Sequence, residues 1–112
     1  MMHKNRKLFP VSSSTGGKIQ AEQLATFTHY IKGEQFRFVV TRIPGNNIAA
    51  VTHRISGLKV CDVPSIAVQA SAGDWVVAGR TTLIKFIADR DEQRIYVVLR
   101  SAEPRSTPQN SD

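Results

Sequence analysis

The stretch DWVVAGRTTLIKFIADRDEQRIYVVLR, residues 74–100, is the most strongly patterned part of the chain, and the fold depends on what it forms. Residues 83–88 and 93–99 are rich in β-branched and aromatic side chains, and Asp89-Arg90-Asp91-Glu92 between them has the polarity of a hairpin loop. The expectation is a pair of antiparallel strands. Pairing Ala88 with Gln93 sets Phe86 against Ile95, Ile84 against Val97 and Thr82 against Leu99, a face apolar at nearly every position. A slip of one residue would bring Arg94, Tyr96 and Arg100 onto that face, so burial selects the first register. Gly79 then marks a bulge or bend ahead of the first strand.

Working back toward the N-terminus, residues 58–63 (LKVCDV) form a strand that ends at Pro64, and residues 65–72 form either a strand or a loose helical turn. Ile48, Val51, Ile55 and Leu58 recur at spacings of three, four and three, with Asn47 as N-cap and Gly57 as a stop, which favours a short helix over residues 48–56. The competing form is a two-stranded ribbon turning at Ser56-Gly57. Pro44-Gly45-Asn46-Asn47 is a turn by composition, and FRFVVTRI before it is a strand with Phe36, Phe38 and Val40 on one face. Leu24, Phe27 and Ile31, followed by Lys32 and Gly33, favour a helix over residues 19–32. A hairpin closed by Lys32-Gly33-Glu34 competes with it.

The whole predicts one α+β domain over residues 18–101: a small antiparallel sheet of about four to six strands with one or two helices packed on one face. Residues 1–17 are expected to be a flexible basic arm and a Ser/Gly linker, in which Leu8, Phe9 and Val11 could dock as a short edge strand. Residues 102–112, rich in polar residues and proline, are expected to be a disordered tail. No apolar run approaches the roughly 18 residues of a membrane-spanning helix, and the N-terminus lacks the apolar segment of a secretory signal, so the expected location is cytoplasmic, without a membrane partner. A single cysteine, Cys61, excludes an internal disulfide framework and a multi-cysteine zinc site.

Charge is the one global property that points to a partner. Fifteen Lys and Arg against nine Asp and Glu give a formal +6, to which Lys4, Arg6 and Lys7 supply +3, residues 18–100 supply +4 and residues 101–112 supply −1. The hairpin places Lys85, Arg94, Tyr96 and Arg100 on one outward face, joined by Arg37 from a neighbouring strand. Basic groups around an exposed aromatic could hold phosphates while the ring stacks on a base. The competing form covers that face with a helix over Leu83, Ile87 and Val98. The arm residues Lys4, Arg6 and Lys7 could follow a phosphate backbone. A helix at 48–56 would add His53 and Arg54 as groove readers, although no second helix stands at helix-turn-helix spacing.

Catalytic and cofactor signals are sparse. Thr15-Gly16-Gly17-Lys18 lacks the earlier glycine, the following hydroxyl residue and the preceding strand of a phosphate loop. Cys61 with His53 or His29, oriented by Asp62 or Asp74, would be a nucleophile and base, but Cys61 lies in a strand that directs it to the core. Asp89, Asp91 and Glu92 are interleaved with arginines, as in a solvated turn, and Trp75 is a core anchor by default. No metal or cofactor is assigned. Two function classes follow. One is a small basic, non-catalytic accessory or regulatory factor that binds DNA or RNA through Lys4, Arg6, Lys7, Arg37, Lys85, Arg94, Tyr96 and Arg100. The other is a protein-interaction or small-ligand-holding module, homodimeric through a free sheet edge, with no nucleic-acid role.

Overall fold

A computed structural model describes residues 7–12 and 16–103. Its first half is a five-stranded antiparallel meander in the order β1-β2-β3-β4-β5: β1 (Leu8–Ser12), β2 (Lys18–Ile31), β3 (Glu34–Arg42), β4 (Ala49–His53) and β5 (Lys59–Val63). Three helices follow, α1 (Ser65–Ala70), α2 (Trp75–Asp89) and α3 (Glu92–Ala102). The α+β class with an antiparallel sheet is therefore as expected, but the segments that build it are partly exchanged. The edge strand at Leu8–Ser12 forms, within the segment expected to be a flexible arm and linker.

The central hairpin expected at residues 83–88 and 93–99 does not exist; these residues lie in α2 and α3. Two aspartates account for the difference. The Asp74 carboxylate accepts the N–H groups of Val76 at 3.0 Å and Val77 at 3.1 Å, and Asp91 accepts that of Gln93 at 3.1 Å. Each satisfies donors that a helix start leaves open, so each starts a helix where the hairpin reading had a strand entry or a loop. Trp75, Ala78, Gly79, Leu83, Phe86 and Ile87 then face the sheet at helical spacing, as do Ile95, Tyr96 and Leu99 from α3. Gly79 is no bulge. It lies inside α2, where a Cβ would stand 2.7 Å from Val40 Cγ2 and 3.1 Å from Phe27 Cε1, so its missing side chain sets how closely helix and sheet approach.

The helix expected over residues 19–32 is instead the long strand β2. Lys32 and Gly33 take φ values of +52° and +80°, the positive pair that a two-residue hairpin turn of matching twist requires. A bulge between Gln23 and Ala25 shifts the pairing with β3, so Leu24 and Phe27 end up three apart although the segment is extended. That offset imitates a helical repeat. The helix expected over 48–56 is likewise replaced by the competing ribbon. Ala49, Val51 and His53 are buried with strand alternation, whereas Ile48, Ile55 and Leu58 are exposed.

One face of the sheet carries Phe27, Ile31, Phe36, Phe38, Val40, Val51, Cys61 and Val63 into a core closed by Ala78, Leu83 and Leu99 from the helices. Phe27 stacks on Phe38 with centroids 5.5 Å apart, and Tyr96 packs edge-on to Phe36 at 6.0 Å. The other face is concave. The corner between β1 and β2 bends back to the β4–β5 turn, where Ser12 N–H donates to Gly57 O at 2.9 Å and Lys18 Nζ donates to Ser56 O at 2.8 Å. Gly57, at φ +78°, permits this closure, because a Cβ there would meet Lys18 Nζ at 3.0 Å and Pro10 O at 3.1 Å. Val11, Ala21, Val39, Thr41 and Thr52 are buried within the curl. Among the described residues no helix is long and apolar enough to cross a membrane.

Candidate functional site

The curl leaves a cleft of about 440 Å³ on the concave face. Val11 and Ile19 line it from the β1–β2 corner, Thr41 and Ile43 from the end of β3, Ile48 and Ala50 from β4 and the segment before it, and Lys59 and Asp62 from β5. Antiparallel pairing makes it. Thr41 stands opposite Ala50, Val39 opposite Thr52, and Val11 opposite Ile19, so alternate side chains of four strands point to one side. Its size is that of a small-molecule site, and its walls mix those apolar side chains with the polar groups of Ser12, Thr41, Asn46, Thr52, Lys59 and Asp62.

The polar groups inside are specific. Thr41 is 3% exposed and Thr52 is 1% exposed, and their Oγ1 atoms lie 2.9 Å apart. In such a pair one hydroxyl donates to the other, and the second proton is left over. Among the described residues neither hydroxyl has another partner. Where it faces the cleft, that proton is available to an acceptor held there. At the rim Lys59 Nζ meets Asp62 Oδ1 at 3.0 Å, an exposed pair that contributes little to stability. The cleft was missed because Thr41 and Thr52 come together only through β3–β4 pairing, and residues 48–56 were expected to be helical.

The predicted basic surface does not assemble. Lys4 and Arg6 lie outside the described residues. Lys7 and Arg37 are exposed on the sheet, and Lys85 and Arg94 are exposed on two different helices. Tyr96 is no stacking platform: its hydroxyl donates to Glu34 Oε1 at 2.9 Å and its ring packs on Phe36. Arg100 Nε bonds the other oxygen of the same carboxylate, Glu34 Oε2, at 2.9 Å. Glu34 thus engages two of the residues expected to meet phosphate. Arg37 gains an unforeseen neighbour, because the Arg54 N–H donates to Arg37 O at 3.0 Å and both line a cavity of about 300 Å³ with Thr26 and Thr28. No carboxylate lines it.

The groups considered for catalysis are occupied otherwise. Burial, reinforced by the Asp62 carboxylate and partly opposed by Lys59, pushes the Cys61 thiol up to about 11, the reverse of an activated nucleophile. Burial, with Arg80 adding to it, holds His29 below the usual imidazole range. His53 engages neither cysteine nor aspartate: Nδ1 lies 2.7 Å from Ser56 Oγ and Nε2 lies 2.8 Å from Glu103 Oε2. A serine, histidine and glutamate in a row suggest a relay, but Ser56 Oγ also accepts the Leu58 N–H at 3.2 Å, and neither Ser56 nor His53 lines the concave cleft, the cavity beside Arg37 and Arg54 or the groove between β5 and α3. The row is a clamp that ties the end of α3 to the β4–β5 turn. In the turn before α3, Asp91 serves as a cap and Glu92 accepts the Lys32 N–H at 3.3 Å. Trp75 is half-buried against the core, with the Arg42 guanidinium 5.8 Å from its ring centroid. Comparison of the chain with protein-family models, with curated proteins and with solved structures finds no match.

Proposed function

We propose that this protein is a small-ligand-holding module whose site is the concave cleft of the curled sheet. The observation that carries the proposal is the spare hydroxyl proton of the buried Thr41–Thr52 pair, which lines the cleft together with the apolar side chains of Val11, Ile19, Ile43 and Ile48. The ligand class follows from it. An apolar body of roughly ten heavy atoms fits within such a volume, and a carbonyl or similar acceptor on it answers the proton. NMR titration of the full chain with acetophenone and with ethylbenzene, which share a skeleton but differ in the acceptor, tests this. Saturable shifts are expected at Ile19, Ile43, Ile48, Thr41 and Thr52. The ketone should bind tighter, and the Thr41→Val/Thr52→Val variant should abolish its advantage. Shifts outside the cleft, or an advantage that persists in the double variant, would remove the proposal.

A second reading rests on Arg37 and Arg54. Two arginines that line one cavity with Thr26 and Thr28, with no carboxylate among its described lining residues, suit a phosphate of DNA or RNA. Oligonucleotide anisotropy at low and near-physiological salt tests it. Binding should fall with salt and disappear in Arg37→Ala/Arg54→Ala. Retention of binding in that variant, or no binding to the native chain at low salt, would dismiss it.

A further inference from the structure

The sheet ends at β5, which has no strand on its outer side. Beside it runs a groove of about 500 Å³, with Leu58, Lys59 and Val60 on one wall and Phe86 and Arg90 from α2 and Arg94, Ile95 and Val98 from α3 on the other. Its apolar groups are accessible: Leu58 is 38% and Val98 51% exposed. An open strand edge next to an accessible apolar groove is the arrangement by which an extended segment adds to a sheet, with main-chain hydrogen bonds on one side and side-chain pockets on the other.

Charge decides the occupant. Among the described residues, Lys59, Arg90 and Arg94 line the groove with one carboxylate, that of Asp91, which also accepts the Gln93 N–H. Arg90 lies over the Phe86 ring at 5.0 Å, and neither Arg90 nor Arg94 has an ion-pair partner among the described residues. Lys59 meets Asp62 only in an exposed pair. A second copy of this chain, with its formal +6, would bring like charges together along the edge. We infer that the groove between β5 and α3 receives an extended segment of another protein in which acidic residues alternate with apolar ones, pairing along β5 with its carboxylates directed to Arg90 and Arg94. This surface shares Lys59 with the concave cleft, and the two are otherwise lined by different residues.

The test uses the full chain and three labelled, capped eight-residue peptides. One alternates Glu with Val, one alternates Lys with Val, and the third is the Glu-Val peptide methylated at every second backbone nitrogen. Anisotropy should show micromolar binding of the Glu-Val peptide, and at least tenfold weaker binding of the other two. Arg94→Glu, at an exposed position, should cost about tenfold for the Glu-Val peptide and raise the affinity of the Lys-Val one. Circular dichroism confirms that the variant folds, and Val98→Asp provides a second variant on the same wall with the same expected loss. Equal affinity for the two charges, binding indifferent to N-methylation, no binding at millimolar peptide, or NMR shifts away from Leu58, Val60 and Val98 would each overturn the inference. A concentration-dependent dimer whose contacts cover β5 would also overturn it, in favour of a second copy.

Discussion

Replacing Gly79 by alanine tests the central helix–sheet contact directly. In a solvent-facing helix interior the change stabilises by about 1 kcal/mol, because glycine carries more conformational freedom into the unfolded chain. Here the added Cβ would stand 2.7 Å from Val40 Cγ2 and 3.1 Å from Phe27 Cε1, and Val40 is fully buried. Relief needs a shift of about 1 Å in a close-packed interior, and overpacking of that kind costs roughly 1–3 kcal/mol. With the propensity gain subtracted, Gly79→Ala should destabilise by about 1 kcal/mol, a fall in melting temperature of roughly 4–8 °C for a domain of this size. The diagnostic comparison is the same change in a Val40→Ala background. That variant is itself weakened by a cavity, but it has lost the methyl that blocks the new Cβ, and there Gly79→Ala should stabilise. Urea unfolding of the four proteins gives a coupling energy expected near 2 kcal/mol. If Gly79→Ala alone raised stability by about 1 kcal/mol and the coupling were near zero, α2 would not rest on β3 at this point.

Other expectations follow from single interactions. Asp74→Ala removes the acceptor for Val76 and Val77 and should cost about 1 kcal/mol, with a loss of helical circular dichroism; a hairpin at these residues would show no such loss. The Cys61 thiol is pushed from 9.0 to about 11, so the unfolded chain ionises first as the medium becomes alkaline. Its contribution is intact below pH 9 and is lost as pH rises toward 11, on the order of 2–3 kcal/mol, and Cys61→Ala should flatten that part of the stability profile. His29 is lowered, so its neutral form is favoured in the fold. Stability should fall as pH drops below 6.5, and His29→Gln should reduce the fall. Thr52→Val alone leaves the Thr41 hydroxyl buried without its partner and should cost about 1–2 kcal/mol, whereas Thr41→Val/Thr52→Val should be close to neutral in urea unfolding.

What could be foreseen, and what could not, divides along physical lines. The strand over residues 36–43 was legible because Phe36, Phe38 and Val40 alternate without interruption, and β5 because Pro64 closes it. Residues 74–100 were misassigned because β-branched density outweighed capping. Val77, Ile84, Val97 and Val98 are exposed or nearly half exposed, so they supplied a strand-like signal without belonging to the core. Asp74 and Asp91, the residues that decide the matter, had been assigned to the hairpin segment and its loop. In β2 the opposite error arose, since a bulge at Gln23/Ala25 put a three-residue step into an extended segment. The cleft was beyond reach for a different reason. A contact between Thr41 and Thr52 depends on strand register, and register is invisible while one of the two strands is taken for a helix.

The distribution of positive charge argues against one continuous polyanion surface and toward separate sites. Arg42 and Arg80 lie over Trp75 and Phe27, and Arg80 also donates to Thr28 O at 3.4 Å. Arg42 and Arg100 are paired with Glu22 and Glu34, and Lys18 is bound to the β4–β5 turn. These cations help to hold the fold, and the carboxylates of Glu22 and Glu34 offset the charge of Arg42 and Arg100 at short range. Of the cations left without a carboxylate among the described residues, Arg37 and Arg54 stand beside the Thr26–Thr28 cavity and Arg90 and Arg94 along the β5 groove, whereas Lys7, Lys32 and Lys85 line neither. Each place also offers hydroxyls or apolar surface that a bare solubilising charge would not need. Under the two proposals that involve anionic partners, the positive charge would act locally, where an anionic group is met together with a second kind of contact, and the formal +6 of the chain would mainly speed their approach.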